Sequence, residues 1–338
     1  MPIDNRMDEL DALRGLAALS VALYHYTYYF DHLYGHSSAI SALWEFGKHG
    51  VNLFFVVSGF VIYMTLEKTV QMSGFVVSRF SRLFPAYWAA MILTFFVVSV
   101  FGLTGLEISV SDALINLTMV QRFFGVPHLD NSYWTLTYEL IFYFGMLVAW
   151  KVNLIKHPAV LCFAFLGYQF AVIFMFLGLD IAIPELLLKG TMVPYGHQFI
   201  VGIALFVLKM QTAKVWPHLL IGCSLLVEYL LPRVVQGPVD SNVIAMGLIV
   251  CVFYLFLWGK LRFLCVKPLI FLGTISYSFY LVHQHIGYVV ITKASEYSLP
   301  TVVSVSAALV VCLTLAIVIT ILVERPAMRG IRGWYRNK

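Results

Sequence analysis

Charge is scarce in this chain: Lys, Arg, Asp and Glu make up 12% of 338 residues, against 61% hydrophobic, and mean hydropathy is +0.86. A water-soluble domain of ordinary composition carries about 25% charged residues. That shortfall excludes a single core wrapped in a polar surface and marks an integral membrane protein. No long polar stretch interrupts the apolar runs, so one membrane domain is expected over 1–338. Cysteine is also rare. Cys162, Cys223, Cys251 and Cys312 fall in apolar segments and Cys265 in a short basic loop. With neither C-x-x-C nor metal-ligand spacing, all five read as packing residues and no metal is expected. Met1–Asp11 lacks the basic start and small-residue cleavage site of a secretory signal, so the first apolar segment is expected to persist. The formal charge of +5 reads as a topology signal, with no nucleic-acid partner.

Apolar runs near the ~20 residues needed to span a bilayer recur throughout. They predict an all-α, polytopic fold of about ten helices, near 12–32, 50–67, 84–102, 133–151, 159–178, 195–209, 218–231, 243–259, 269–291 and 302–323. With the amino terminus inside, most of the 22 Lys and Arg fall on the inner side. Only Lys48, Arg122, Lys189, Arg233 and Lys293 remain outside, which predicts two cytoplasmic termini. The longest outer connection, 103–132, contains an amphipathic stretch at 111–118 suited to lying along the interface. No internal repeat is visible, which argues against an inverted-repeat transporter. Chemistry must therefore come from membrane helices and short loops.

Ionisable groups inside a membrane segment are costly and mark candidate sites. Arg14 and His25 lie in the first apolar segment. Eleven helical steps return to within about 20° of the starting direction and rise ~16 Å, so the two share a face at different depths. Counting inward, His25, Ser58, Glu139 and His283 fall in one layer ~9–13 Å below the outer surface. Arg14, Arg79 and Arg82 gather at the inner boundary. Taken singly, each has a plain reading. Arg14 is a snorkelling arginine beside Asp11, His25 and His283 are interhelical hydrogen-bonding groups, and Arg79 and Arg82 are positive-inside residues. Trp134 belongs to an interfacial belt, and Ser58-Gly59 permits close helix packing. The layered coincidence favours a site.

A basic mouth with an imidazole layer ~15 Å beyond it fits a donor with phosphates, a long arm and a reactive end. Acyl-coenzyme A has that form. Arginines bind phosphate through forked, charge-assisted bonds, and a neutral imidazole suits removal of a proton from an acceptor hydroxyl. Glu139 is the candidate carboxylate to orient His25, ahead of Asp31 at the helix end. Phe54, Phe55 and Phe60 are candidate lining for a short acyl chain.

Arg14 and His25, Leu-Phe-Phe-Val-Val-Ser-Gly-Phe (53–60), Arg-Phe-Ser-Arg-Leu-Phe-Pro-Ala-Tyr-Trp (79–88), Tyr-Trp-Thr-Leu-Thr-Tyr-Glu (133–139) and Ile-Ser-Tyr-Ser-Phe-Tyr-Leu-Val-His (275–283) occur in order. Together they closely resemble the membrane acyltransferase-3 family. The resemblance implies a bacterial inner-membrane enzyme moving an acyl group, commonly acetyl, from cytosolic acyl-CoA to a hydroxyl of an exported or cell-surface carbohydrate such as exopolysaccharide or O-antigen. It implies that Arg14 and His25 are essential, that Arg79 and Arg82 bind the donor and that Trp134 and Glu139 line the catalytic cavity, with His283 a further candidate. From their place in the polar layer Ser58 and His283 are read as substrate-binding. No permanently bound cofactor is implied. Gln284 stands where many relatives have proline, and the hydrolase-like carboxy-terminal domain of the fused subgroup is absent, which argues against a self-contained two-step transferase. The alternative is a proton-coupled transporter or flippase of a glycan or lipid, with Glu139, His25 and His283 as relay; a scaffold for glycan export leaves the buried charges unexplained.

Overall fold

In a computed structural model, the described residues are 7–35, 41–103, 105–184, 188, 190–210, 215–234 and 242–337. Arg6, Lys189, Lys214 and Lys338 of the charge pattern lie outside them. The described residues are helical and contain no strand. Fourteen α-helices are described: α1 Asp8–Tyr24, α2 Phe30–Tyr34, α3 Gly50–Glu67, α4 Met72–Phe101, α5 Val110–Asn116, α6 Trp134–Lys151, α7 Pro158–Leu179, α8 Gly196–Met210, α9 Trp216–Leu230, α10 Val243–Leu257, α11 Lys267–Val282, α12 Gln284–Glu296, α13 Thr301–Ile319 and α14 Arg325–Arg336. Each of the ten expected apolar segments contains an α-helix.

Among the described residues, four continuous helical stretches are long and apolar enough to cross a membrane: 41–67, 72–101, 158–179 and 301–336. Three others, α8, α10 and α11, are apolar but shorter. Ile92, Phe96, Phe174, Leu248 and Val310 are each more than half exposed, as lipid-facing positions are. Cys251 is exposed on apolar α10, so it is not the packing residue expected, whereas Cys162 and Cys312 are buried.

Two boundaries differ from the sequence reading. The helix expected to begin near Pro85 begins at Met72 and carries Pro85 inside. Proline removes one helical donor, a loss that membrane helices tolerate when neighbours re-satisfy the backbone. Arg79 and Arg82 therefore sit on a helix rather than in a loop. The expected helix 269–291 is interrupted at His283, for reasons that belong to the site.

The chain divides into two compact units, one of residues 1–50, 71–137 and 264–338 and the other of 51–70 and 138–263. In the first, α1 and α11 approach through glycines. A Cβ on Gly15 would lie 2.8 Å from the Gly273 nitrogen, and one on Gly273 would lie 2.0 Å from the Asp11 carbonyl oxygen. Backbones come this close only where side chains are absent. In the second unit Gly59 of α3 does the same, with a Cβ falling 2.0 Å from the Phe199 carbonyl oxygen of α8. Phe55 stacks on Phe199 and Phe60 packs on Phe206 and Phe256. These two rings fill the core of this unit rather than line a tunnel.

Candidate active site

Unbroken α-helix from Asp8 to Tyr24 preserves the register between Arg14 and His25, both half-buried. At His25 the helix changes to a π turn, His25–Tyr29. Such turns are rare and concentrate at functional positions. The His25 Nδ1 lies 2.8 Å from Nε2 of His283, whose side chain is buried. The other ring nitrogen of His283, Nδ1, lies 2.7 Å from the Tyr280 carbonyl oxygen.

That carbonyl can only accept, so His283 carries its proton on Nδ1. In the neutral pair its Nε2 is then an acceptor, and His25 donates through Nδ1–H. His25 is left with its lone pair on Nε2. The orienting partner at Nδ1 is a histidine where the sequence pointed to a carboxylate.

Two hydrogen bonds explain the interruption that presents His283. The His285 N–H, which a continuous helix would direct to the Leu281 carbonyl, instead donates to Asp130 Oδ2 at 2.9 Å. The Leu281 carbonyl accepts from the Tyr133 hydroxyl at 2.9 Å. Asp130 is wholly buried, and its other oxygen accepts from Ser132 N and Oγ at 2.9 and 2.6 Å. A carboxylate at a helix amino terminus is well placed for the helix dipole. The Tyr26 hydroxyl donates to the His283 carbonyl at 2.7 Å, and Gly287 makes room for its ring.

The connection that carries α5 is held firmly. The Tyr87 hydroxyl donates to the Asn116 carbonyl at 2.7 Å, and Trp88 Nε1 donates to the Leu117 carbonyl at 3.0 Å. Helix α5 starts on Ser109, whose Oγ accepts from Asp112 N at 3.1 Å. Trp134, half-buried, opens α6.

At the other end of the same unit, Arg82 forms an ion pair with Glu324. Glu324 ends a second π turn, Thr320–Glu324, and accepts from Ser278 Oγ at 2.8 Å. Within the second unit, Ser58 Oγ donates to Glu139 Oε1 at 3.3 Å, and the Tyr143 hydroxyl donates to the same oxygen.

A family model described as an acyltransferase domain matches residues 7–322. The chain belongs to the acyltransferase-3 family. No curated protein and no solved structure matches it. The match spans Arg14, His25, Ser58, Arg79, Arg82, Trp134, Glu139 and His283, and ends before Glu324 and Arg332.

The acyltransferase contains a further polar cluster that sequence reasoning missed. His197 and Glu228 are paired and fully buried in the second unit. Gln198 Nε2 and the Asn242 N–H donate to Glu228 at 3.1 and 3.0 Å. Gln169 Nε2 donates to the Val193 carbonyl at 2.7 Å. Two ionisable groups on apolar helices are the only signal the sequence offered. Asp130, Glu324 and Arg332 were likewise passed over, because each acts through partners far away in the chain. Among the described residues, no group of three or more His, Cys, Asp or Glu could hold a metal ion.

Proposed function

We propose that this acyltransferase moves an acyl group, acetyl in the simplest case, from cytosolic acyl-CoA to a hydroxyl of an exported carbohydrate. In this reading it lies in a bacterial inner membrane with ten spans and both termini cytoplasmic. The observation that carries the proposal is the hydrogen-bonded run from the Tyr280 carbonyl through His283 to His25. It favours one tautomer of His25 and leaves Nε2 to act as base.

The acceptor hydroxyl gives its proton to His25 Nε2 while its oxygen attacks the thioester carbonyl. A tetrahedral intermediate forms and collapses. The carbon–sulfur bond breaks, the coenzyme A thiolate takes the proton back from the imidazolium, and the ester remains on the sugar. General base catalysis of this kind contributes typically 10²–10⁴-fold. Arg14, Arg79 and Arg82 hold the donor's phosphates. Trp134 serves the acceptor, where an aromatic ring suits a sugar. Ser58 and Glu139, hydrogen-bonded to each other in the second unit, are assigned to substrate on the sequence reading alone.

Purified protein given radiolabelled acetyl-CoA should release coenzyme A and label a glycan acceptor. Proton-coupled glycan flux in sealed vesicles without acyl-CoA, together with no transfer, would favour a carrier instead.

A further inference from the structure

Helix α14 carries Arg325, Arg329, Arg332 and Arg336 at steps of four, three and four, so all four lie along one stripe. Only Arg332 of these is half-buried. Its Nε donates to Ser81 Oγ at 3.0 Å and an Nη to the Ser78 carbonyl at 3.2 Å, which fixes the guanidinium against the first half of α4. The same stretch of α4 supplies Arg79 and Arg82, and Arg332 lies in the electrostatic field of both and of Arg336.

Within this gathering Arg82 pairs with Glu324, which is 1% exposed and also accepts from Ser278 Oγ and Thr320 Oγ1. Arg79 lies 5.6 Å over the Phe75 ring, and its Nε is buried without a hydrogen-bond partner. A buried guanidinium donor without a partner is expensive, and a cluster of fixed ones is suited to an anion with several oxygens. Arg82, itself 24% exposed, is the member through which the cluster meets its own carboxylate.

We propose that Arg79, Arg82 and Arg332 form one phosphate site and that Glu324 is its resident counter-anion, released from Arg82 when the phosphate arrives. This rests on the reading of Arg79 and Arg82 as donor-binding residues. It adds a third ligand and a competing carboxylate, both beyond the matched family domain. Glu324 then sets an affinity ceiling: the donor must replace an ion pair that already exists.

The test is equilibrium binding of coenzyme A and of acetyl-pantetheine, which lacks the phosphates, to the full-length protein in detergent micelles. Arg332→Gln should weaken coenzyme A about tenfold and flatten its salt dependence, with acetyl-pantetheine unchanged. Glu324→Gln should tighten coenzyme A several-fold, a sign that a purely structural carboxylate would not give. Arg329→Gln, exposed on the same helix, should change neither. Unaltered coenzyme A binding in both Arg332→Gln and Glu324→Gln would overturn the proposal while leaving the donor reading intact. So would a loss of bound phosphatidylglycerol in Arg332→Gln with coenzyme A unaffected, which would assign the site to a lipid headgroup. Absence of coenzyme A binding in the unaltered protein would defeat the donor reading itself.

Discussion

Gly15 sits against Gly273 in the same register that brings His25 to His283, ten residues further along each helix. Helices α1 and α11 thus run side by side from a glycine contact to a histidine contact ~15 Å away. The glycines set the distance at which the imidazoles meet. Gly273→Ala should wedge the helices apart, cost about 1–3 kcal/mol and reduce acyl transfer more than tenfold. Gly222→Ala, where a Cβ meets nothing within 4 Å, should leave both unchanged. Thermal unfolding in detergent and a transfer assay on the same preparations provide the comparison.

In the proposed mechanism His283 orients His25 and does not itself react. Replacing it with phenylalanine removes the acceptor for the His25 Nδ1–H, so the rate constant for transfer should fall on the order of 10²-fold, while the Michaelis constant for acyl-CoA holds. Asparagine, whose side-chain oxygen can accept that proton, should recover part of the rate. An equal loss in both variants would assign His283 a packing role.

The His197–Glu228 pair is structural in this account. Removing one member strands the other in a buried site, a loss typically of about 3–5 kcal/mol. Glu228→Leu should therefore unfold well below the unaltered protein, and the double variant with His197→Leu should regain much of the difference. Additive losses would mean the two groups are not coupled.

His128, in the connection between α5 and α6, gives a pH signature. Burial, reinforced by the nearby Arg122 and opposed by Asp130, lowers it from 6.5 to about 4, and Gln121 Nε2 lies 2.6 Å from its Nδ1. The unfolded segment binds a proton below pH 6.5 that the folded one refuses until about 4. Stability is full above pH 6.5 and falls as the pH drops toward 4, by about 1 kcal/mol at pH 5.5. Hydrogen-exchange protection factors over residues 110–133, corrected for the intrinsic pH dependence of exchange, should fall correspondingly at pH 5.5, and His128→Gln should abolish that dependence.

Helix positions were legible because apolar runs of spanning length leave a strong mark, and the pairing of small residues was legible at Ser58-Gly59. The start of α4 was not. Pro85 reads locally as a helix start, whereas α14, packed along the preceding turns, is remote in the chain. The interruption at His283 depends on Asp130 and Tyr133, about 150 positions earlier, and no local turn residue announces it. Likewise Arg79 and Arg82 stand out as a pair in the sequence, but Glu324 and Arg332 become part of their cluster only once the carboxy-terminal helix is folded against them. His25 was conspicuous as a lone imidazole in an apolar helix, though its partner was sought among carboxylates, the group that most often orients a histidine.

The most direct measurement pairs donor binding with transfer in His25→Ala. The account predicts a protein that inserts into the membrane, binds acetyl-CoA with the affinity of the unaltered chain, and moves no acetyl group. Substantial transfer by that variant would contradict the assignment of His25 Nε2 as the base.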